Sequence, residues 1–266
     1  MKTVLQLIPR SIATALLLFL ASTIHAQPTT LLAQAKAAFD QGDLASAETL
    51  LAPLATGDTP DAAVCHQLAL VRQRQKRTEE AVTLLEQATK LDPTKPDYFS
   101  ALGIVLSQRM AEAPFIQVPF LATKLRKAFE RSVALDPNHL PGLIGLARFY
   151  RNAPEIAGGS PEKAGEYAQR VLKLNPFLGE IELGNIAENA DDFAGALTHF
   201  EAASQLQPKN AAMHAAAGRM LAKLDRKTEA RERLQLALKL DPKHQAAQKA
   251  LAELDGSADQ ASTAHQ

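Results

Sequence analysis

The sequence predicts an all-α solenoid, in which about six helix-turn-helix repeats stack in a row and end in a C-terminal capping helix. The clearest repeat spans residues 211–244, where Gly218, Ala230 and Pro242 follow one another in steps of twelve residues. Small residues let two antiparallel helices approach closely, and Pro stops the second helix. Because one such hairpin cannot bury its apolar stripe alone, neighbouring copies must stack.

The same pattern returns along the chain and predicts the order of the elements. Five second helices end on a Leu, a polar residue and a Pro, at Leu91-Asp92-Pro93, Leu135-Asp136-Pro137, Leu174-Asn175-Pro176, Leu206-Gln207-Pro208 and Leu240-Asp241-Pro242. We therefore place repeats near 28–61, 62–95, 96–139, 140–176, 177–210 and 211–244, a cap at 245–254, and a small, polar and disordered tail at 255–266.

Repeats three and four are longer than the others, by ten and five residues between their two helices. The turns within repeats lie on one edge of such a solenoid, so these insertions, 111–124 and 152–164, are expected to form one composite insertion lobe. Burying a large apolar side chain is worth about 1.5 to 3 kcal/mol. The lobe is thus either a local core against repeats three and four or a docking surface for a partner or membrane. Its large apolar residues are Phe115, Ile116, Val118, Phe120 and Leu121.

The spacing of small and large residues over 34 positions resembles that of the tetratricopeptide repeat family. It is most specific in repeats two, five and six, at Leu68-Ala69…Ala81…Leu85…Ala88…Pro93, Leu183-Gly184…Ala196…Phe200…Ala203…Pro208 and Ala217-Gly218…Ala230…Leu234…Ala237…Pro242. The resemblance covers residues 28 to 244. It implies a right-handed superhelix whose concave groove is lined by first helices and holds a peptide or a partner protein.

The first 26 residues have the layout of a secretory signal peptide. Lys2 and Arg10 precede a compact apolar run from Ile12 to Ala21, and a small-residue end at Ala26 offers a cleavage site. An uncleaved anchor is the alternative, although the run is shorter than the roughly 20 apolar residues of a membrane helix. We expect cleavage after Ala26, no integral membrane span thereafter, and an exported protein of the periplasm.

Composition and motifs indicate binding and give no support for catalysis. The chain has 29 basic and 29 acidic residues, which does not suggest nucleic acid as a partner. Its histidines are dispersed and form no metal-ligand motif, there is no nucleophile elbow or phosphate loop, and the single Cys65 is expected to be a small buried hydrophobe. No cofactor is expected. The basic run at 72–77 is interpreted as a solvated helix end.

The face of each first helix opposite its packed side should look into the concave groove. That set of side chains is polar and mildly basic, and such groups bind peptide backbone or carboxylates, although an ordinary solvated helix face has the same composition. The candidate groove residues are His66, Gln73, Arg74, Ser107, Gln108, Arg148, Arg151, Asn152, Asn185, Glu188, Asn189, Arg219 and Lys223, with Ser100 beside them.

These features together predict a non-catalytic scaffold of the cell envelope. It would bind a protein or peptide partner through the concave groove, the insertion lobe, or both. The alternative is a solute-binding or transporter-associated accessory subunit, in which the insertion lobe closes over the groove.

Overall fold

The computed structural model describes residues 28–57 and 59–263, so the predicted signal segment lies outside the described residues. Within this part of the chain the structure is an all-α solenoid without strands, and consecutive helices pack as antiparallel pairs. The thirteen α-helices described are α1 (Pro28–Asp40), α2 (Leu44–Ala55), α3 (Ala62–Arg74), α4 (Thr78–Leu91), α5 (Pro96–Glu112), α6 (Val118–Leu135), α7 (Leu140–Asn152), α8 (Pro161–Leu174), α9 (Pro176–Asn189), α10 (Phe193–Leu206), α11 (Ala211–Lys223), α12 (Lys227–Leu240) and α13 (Gln245–Thr263). None of them has the length and apolar character needed to cross a bilayer.

The standard turns within repeats end the first helix through a left-handed residue. Lys76, Asp191 and Asp225 have φ near +60°, and Gly42 occupies the equivalent turn of repeat one. The next residue then bonds back to the helix: the Arg226 N–H donates to the Leu221 carbonyl at 2.9 Å. This is the Schellman arrangement, which satisfies carbonyls that the helix end leaves open.

The two helices of a repeat approach closely where the first helix carries glycine. A Cβ on Gly103 would lie 2.6 Å from the Phe129 ring of the same repeat. Gly145, on the first helix of the next repeat, faces the same ring, and its Cβ would lie 2.4 Å from it. In repeat five a Cβ on Gly184 would lie 2.7 Å from Phe200. The small residues that define the repeat in sequence therefore create the space that the aromatic rings fill.

Side chains from neighbouring helices contact the proline carbonyls in the turns between repeats. Arg131 on α6 donates to the Pro93 carbonyl at 3.3 Å, and Arg170 on α8 donates to the Pro137 carbonyl at 2.6 Å. Further along, the His214 imidazole lies 2.9 Å from the Pro208 carbonyl. These bonds satisfy polar backbone groups at each break in the helical pattern.

The insertion in repeat three is built mostly as helix. Helix α5 has 17 residues against 13 in α3, and α6 has 18 against 14 in α4. A short 3-10 turn, Phe115–Gln117, joins the two extended helices. The insertion in repeat four leaves α7 and α8 at standard length and forms a loop with a second 3-10 turn, Glu155–Ala157.

The junction between repeats four and five is short. Asn175 alone separates α8 from α9, ending the first helix and capping the second through a 3.0 Å bond from the Leu178 N–H. A Cβ on Gly179 would lie 2.2 Å from the Leu172 Cα, so only glycine allows this approach.

The last helix packs on repeat six and runs past the predicted cap. Ala247, Ala250 and Leu254 are buried against α11 and α12. The helix continues to Thr263, beyond the predicted boundary at residue 254 and into the segment expected to be disordered. Residues 255–263 include no Pro, the residue type that would end the helix.

Candidate functional site

The predicted groove residues all lie on first helices, from α3 to α11, and differ in exposure. Arg74, Ser107, Gln108, Arg148, Asn152, Asn189 and Lys223 are exposed, whereas His66, Gln73, Arg151, Asn185, Glu188 and Arg219 are partly buried. Ser100 is buried. Only part of the predicted groove set is therefore accessible to a ligand.

In the N-terminal half these side chains bond to the neighbouring first helix. The Gln73 amide on α3 donates to the Gln108 amide oxygen on α5 at 3.2 Å. Arg74 donates to the Phe39 carbonyl of α1 at 3.0 Å, and its guanidinium lies 3.8 Å from the centre of the Phe39 ring. These contacts join repeats one, two and three along the concave face.

In the C-terminal half the bonds are ionic and centre on a carboxylate that the sequence did not single out. Glu182 on α9 is 2% exposed, and Arg148 on α7 reaches it at 2.8 Å through Nε and 2.7 Å through Nη2. Arg151 contacts the other carboxylate oxygen at 3.4 Å. Burial, with the neighbouring Arg148 charge, lowers the pKa of the Arg151 guanidinium. A further ion pair joins α11 to α9, where Arg219 donates to the Glu188 carboxylate at 2.7 Å.

Many of the predicted groove residues thus hold adjacent repeats together. Spacing in the sequence could have identified Glu182. Arg148 lies 34 residues, one repeat length, before it, on the first helix of the preceding repeat. An acidic residue directly before Leu183-Gly184 falls on the packed side of α9, where a charge needs a partner.

A concavity with a volume of about 710 Å³ lies between α9, α11 and α13. Alanines of α11 and α13 line it, among them Ala212, Ala215, Ala216 and Ala246. We call it the C-terminal cavity. It is lined by Ile181, Asn185, Phe200, Ala212, Met213, Ala215, Ala216, Arg219, Met220, Ala222, Lys223, Lys227, His244, Ala246, Lys249, Ala250, Glu253 and Leu254.

The lining of the C-terminal cavity is positively charged. Arg219, Lys223, Lys227 and Lys249 line it together with the carboxylate of Glu253. Arg219 already forms an ion pair with Glu188, and Lys227 lies 3.4 Å from Asp225, so Lys223 and Lys249 are the cations most open to a ligand. The Lys249 ammonium lies 3.8 Å from Glu253, both exposed, and such a contact leaves both groups open to other partners. The site combines an apolar alanine floor with cationic walls. None of the residues that line this cavity belongs to the insertion lobe.

A second concavity, of about 360 Å³, lies nearer the N-terminal end of the solenoid. His66 and Ser100 line it together with Asp97 and Tyr98, and the His66 and Tyr98 rings lie 4.9 Å apart. Burial is the main cause that lowers the pKa of His66. This depression is polar and mixed in charge, unlike the C-terminal cavity.

One arrangement resembles a catalytic triad and has a structural role. The Ser132 hydroxyl lies 2.8 Å from His139 Nδ1, and His139 Nε2 lies 3.1 Å from the Asp97 carboxylate. Ser132 has no exposed surface, and neither concavity reaches it, so no substrate can approach its oxygen. His139 also accepts from the Gly142 N–H and caps α7. The three residues join α5, α6 and α7.

The basic run at 72–77 is not uniformly solvated as predicted. Arg72 is buried and forms an ion pair with Glu48 of repeat one, and Arg77 contacts the same carboxylate at 3.3 Å. Bonds from Arg72 and Gln75 lower the pKa of Glu48 to about 2. The sequence could not show this because the acidic partner lies in the preceding repeat.

The insertion lobe does not form the local core that was one of its two predicted forms. Phe115, Ile116 and Phe120 are exposed. Val118 and Leu121 are partly buried, and Leu121 packs against the core beneath. Ile156 of the second insertion is exposed as well.

Sites for metal or thiol chemistry are not evident in the part of the chain that the structure describes. No group of three or more His, Cys, Asp or Glu side chains there is placed to hold a metal ion. Cys65 is buried, and that burial raises the pKa of its thiol.

Comparison with known proteins points to one family. A tetratricopeptide repeat family model matches residues 38–103 and 189–254. No curated protein sequence matches the chain.

Solved structures share the fold at low identity. PilW, a type IV pilus biogenesis factor, is 16% identical with a TM-score of 0.70, over 84% of this chain and 98% of PilW. A thermophilic TPR protein of Thermus thermophilus, TTC0263, is 19% identical with a TM-score of 0.58, over 73% of this chain and 98% of that one. The Cut9–Hcn1 assembly of the APC/C is 15% identical with a TM-score of 0.67, over 86% of this chain but only 42% of that one.

Proposed function

Since the chain belongs to the tetratricopeptide repeat family, whose members are generally protein-interaction scaffolds, we propose that it binds a peptide segment of a partner protein in the C-terminal cavity. The observation that carries the proposal is the pairing of an alanine floor with cationic walls in a concavity of about 710 Å³. We propose no catalytic step, because the triad-like arrangement of Ser132, His139 and Asp97 is sealed from solvent at Ser132.

The lining indicates the chemistry of the segment. Ala212, Ala216 and Ala246 leave room for medium-sized apolar side chains, and burying such side chains drives association. Lys223 and Lys249, which are exposed, favour carboxylates on the segment. We therefore expect a segment that carries Asp or Glu beside Leu, Ile, Val or Met.

The proposed location is the periplasm. The proposal rests on the sequence of residues 1–26, with a charged start, a compact apolar run and a small residue at Ala26. Mass spectrometry of the protein isolated from an envelope fraction tests it. A mature N-terminus at Gln27 supports export and cleavage, and an intact N-terminus in the cytosolic fraction contradicts both.

A random dodecapeptide library displayed on phage tests the binding proposal. The selected peptides should be enriched in acidic residues next to apolar ones. Their affinity should fall at least tenfold, by fluorescence anisotropy, for the Lys223→Glu, Lys249→Glu double variant. The matched control is Lys90→Glu, Lys239→Glu, which reverses two exposed charges on second helices.

The proposal fails in either of two cases. One is a library that enriches no sequence class. The other is a set of peptides that bind the wild type and the Lys223→Glu, Lys249→Glu variant equally well.

A further inference from the structure

The insertion lobe projects beyond the edge of the solenoid. Both helices of its hairpin, α5 and α6, are four residues longer than their counterparts in repeat two, 17 against 13 and 18 against 14. At 1.5 Å per residue the hairpin extends about 6 Å past the standard turns. The 3-10 turn Phe115–Gln117 forms its tip.

The tip is apolar and uncharged. Phe115 is 89% exposed, Ile116 86% and Phe120 70%. The run from Ala113 to Thr123 contains no charged residue. Leaving such side chains in water forfeits the free energy of burying them, so the tip favours an apolar environment.

Several polar groups of the tip are bonded within it or absent. Pro114 and Pro119 have no N–H, the Gln117 N–H donates to the Pro114 carbonyl at 2.9 Å, and the Thr123 hydroxyl donates to the Pro119 carbonyl at 3.0 Å. A backbone with few open donors enters an apolar phase at lower cost.

Charged residues stand at the base of the tip, where they are held by repeat two. Glu112 accepts from the Thr78 hydroxyl at 3.2 Å, and Lys124 forms an ion pair with Glu86. The charged residues thus lie where the hairpin leaves the solenoid, and the part that projects beyond them is apolar.

We propose that the insertion lobe dips into the interfacial layer of a lipid bilayer and holds the solenoid against a membrane surface. A projection of about 6 Å matches the depth of roughly 5 to 10 Å to which interfacial elements sink. The uncharged tip makes the interaction independent of anionic lipid.

A protein partner fits this tip less well. The three exposed side chains, Phe115, Ile116 and Phe120, offer about 450 Å² of apolar area, below the roughly 800 Å² that one partner gives to a standard interface. Protein interfaces also carry a polar rim with about ten direct hydrogen bonds, and the side chain of Gln117 is the main polar group on the tip that is left for one. A lipid surface needs no directional partner.

Tryptophan fluorescence gives a direct test, because the chain contains no Trp. The Phe115→Trp variant of the full chain is mixed with vesicles of phosphatidylcholine, with and without brominated acyl chains. We expect a blue shift of its emission, quenching by the brominated lipid, and little change at high salt. Adding Ile116→Ser and Phe120→Ser to this variant should reduce the quenching at least several-fold while leaving the melting temperature unchanged.

The matched control is Leu206→Trp, which reports from an exposed leucine at the end of α10, away from the insertion lobe. Its emission should not respond to brominated lipid, even if residues 1–26 are retained and bind the vesicles. Unchanged emission of Phe115→Trp with vesicles overturns the proposal. So does a blue shift that appears without lipid and grows with protein concentration, since that result assigns the tip to a second copy of the chain.

Discussion

Arg148 on α7 donates a hydrogen bond from Nε at 2.8 Å to one carboxylate oxygen of Glu182 on α9, and its Nη2 lies 2.7 Å from the same oxygen in an ion pair. Glu182 is buried, whereas Arg148 keeps about half of its side chain in solvent. The pair therefore joins two neighbouring repeats on the concave face, and with Glu188 and Arg219 it forms a continuous ionic series from α7 to α11.

Glu182→Ala should destabilise the protein, since it removes the anion that Arg148 and Arg151 share. Bonds to charged groups contribute about 1.5 to 3 kcal/mol, and the partly exposed Arg148 places the expected loss near the lower end. Chemical denaturation measures it. Glu232→Ala, at an exposed position of α12, is the control and should change stability by less than about 0.5 kcal/mol.

Gly145→Ala should destabilise the fold by about 1 to 3 kcal/mol, because the added methyl group meets the Phe129 ring at 2.4 Å. Gly165→Ala on α8 is the opposite case, since no atom lies within 4 Å of its added Cβ. Alanine is the better helix former, so this second variant should gain about 1 kcal/mol. Thermal unfolding followed by circular dichroism separates the two. Equal shifts in both variants would contradict the packing described for Phe129.

Lys76→Gly should stabilise the protein by about 1 kcal/mol. Lys76 has φ of +61° in the turn between α3 and α4, and a left-handed backbone costs a residue with a Cβ about 1 to 2 kcal/mol. The same change at Lys127, an exposed residue inside α6, should instead cost about 1 kcal/mol. Loss of stability in both variants, measured by denaturant unfolding, would show that the turn does not hold Lys76 in this conformation.

The ion pair of Glu48 should make stability depend on acidic pH. The folded-state pKa of Glu48 is lowered from 4.5 to about 2, so its contribution is complete above pH 4.5 and is lost as the pH falls toward 2. The free-energy advantage of the wild type over Glu48→Gln should shrink across that window. An advantage that stays constant from pH 6 to pH 2 would rule out the ionised contact with Arg72.

The fold could be predicted from the sequence because its signals are local and repeated. The steps of twelve residues that link Gly218, Ala230 and Pro242 place small residues and helix ends, and the structure confirms an all-α solenoid built from them. The insertions were located correctly from the same steps. That α5 and α6 would absorb most of the longer insertion as helix was not predicted, because Pro114 and Pro119 suggested a loop.

The surfaces were harder to predict because they depend on pairs from different repeats. The polarity of Arg148 and Arg219 was evident, but their partners Glu182 and Glu188 lie one repeat away. The C-terminal cavity arises from an absence of bulk at Ala212, Ala216 and Ala246, and a run of small residues in a sequence does not show whether neighbouring side chains fill the space.

Methyl NMR of the alanine residues, with a selected acidic and apolar peptide, tests the central proposal most directly. We expect shift changes concentrated at Ala212, Ala216 and Ala246, and their loss in the Lys223→Glu, Lys249→Glu variant. Changes confined to Ala63 and Ala101, beside His66 in the N-terminal depression, would contradict it.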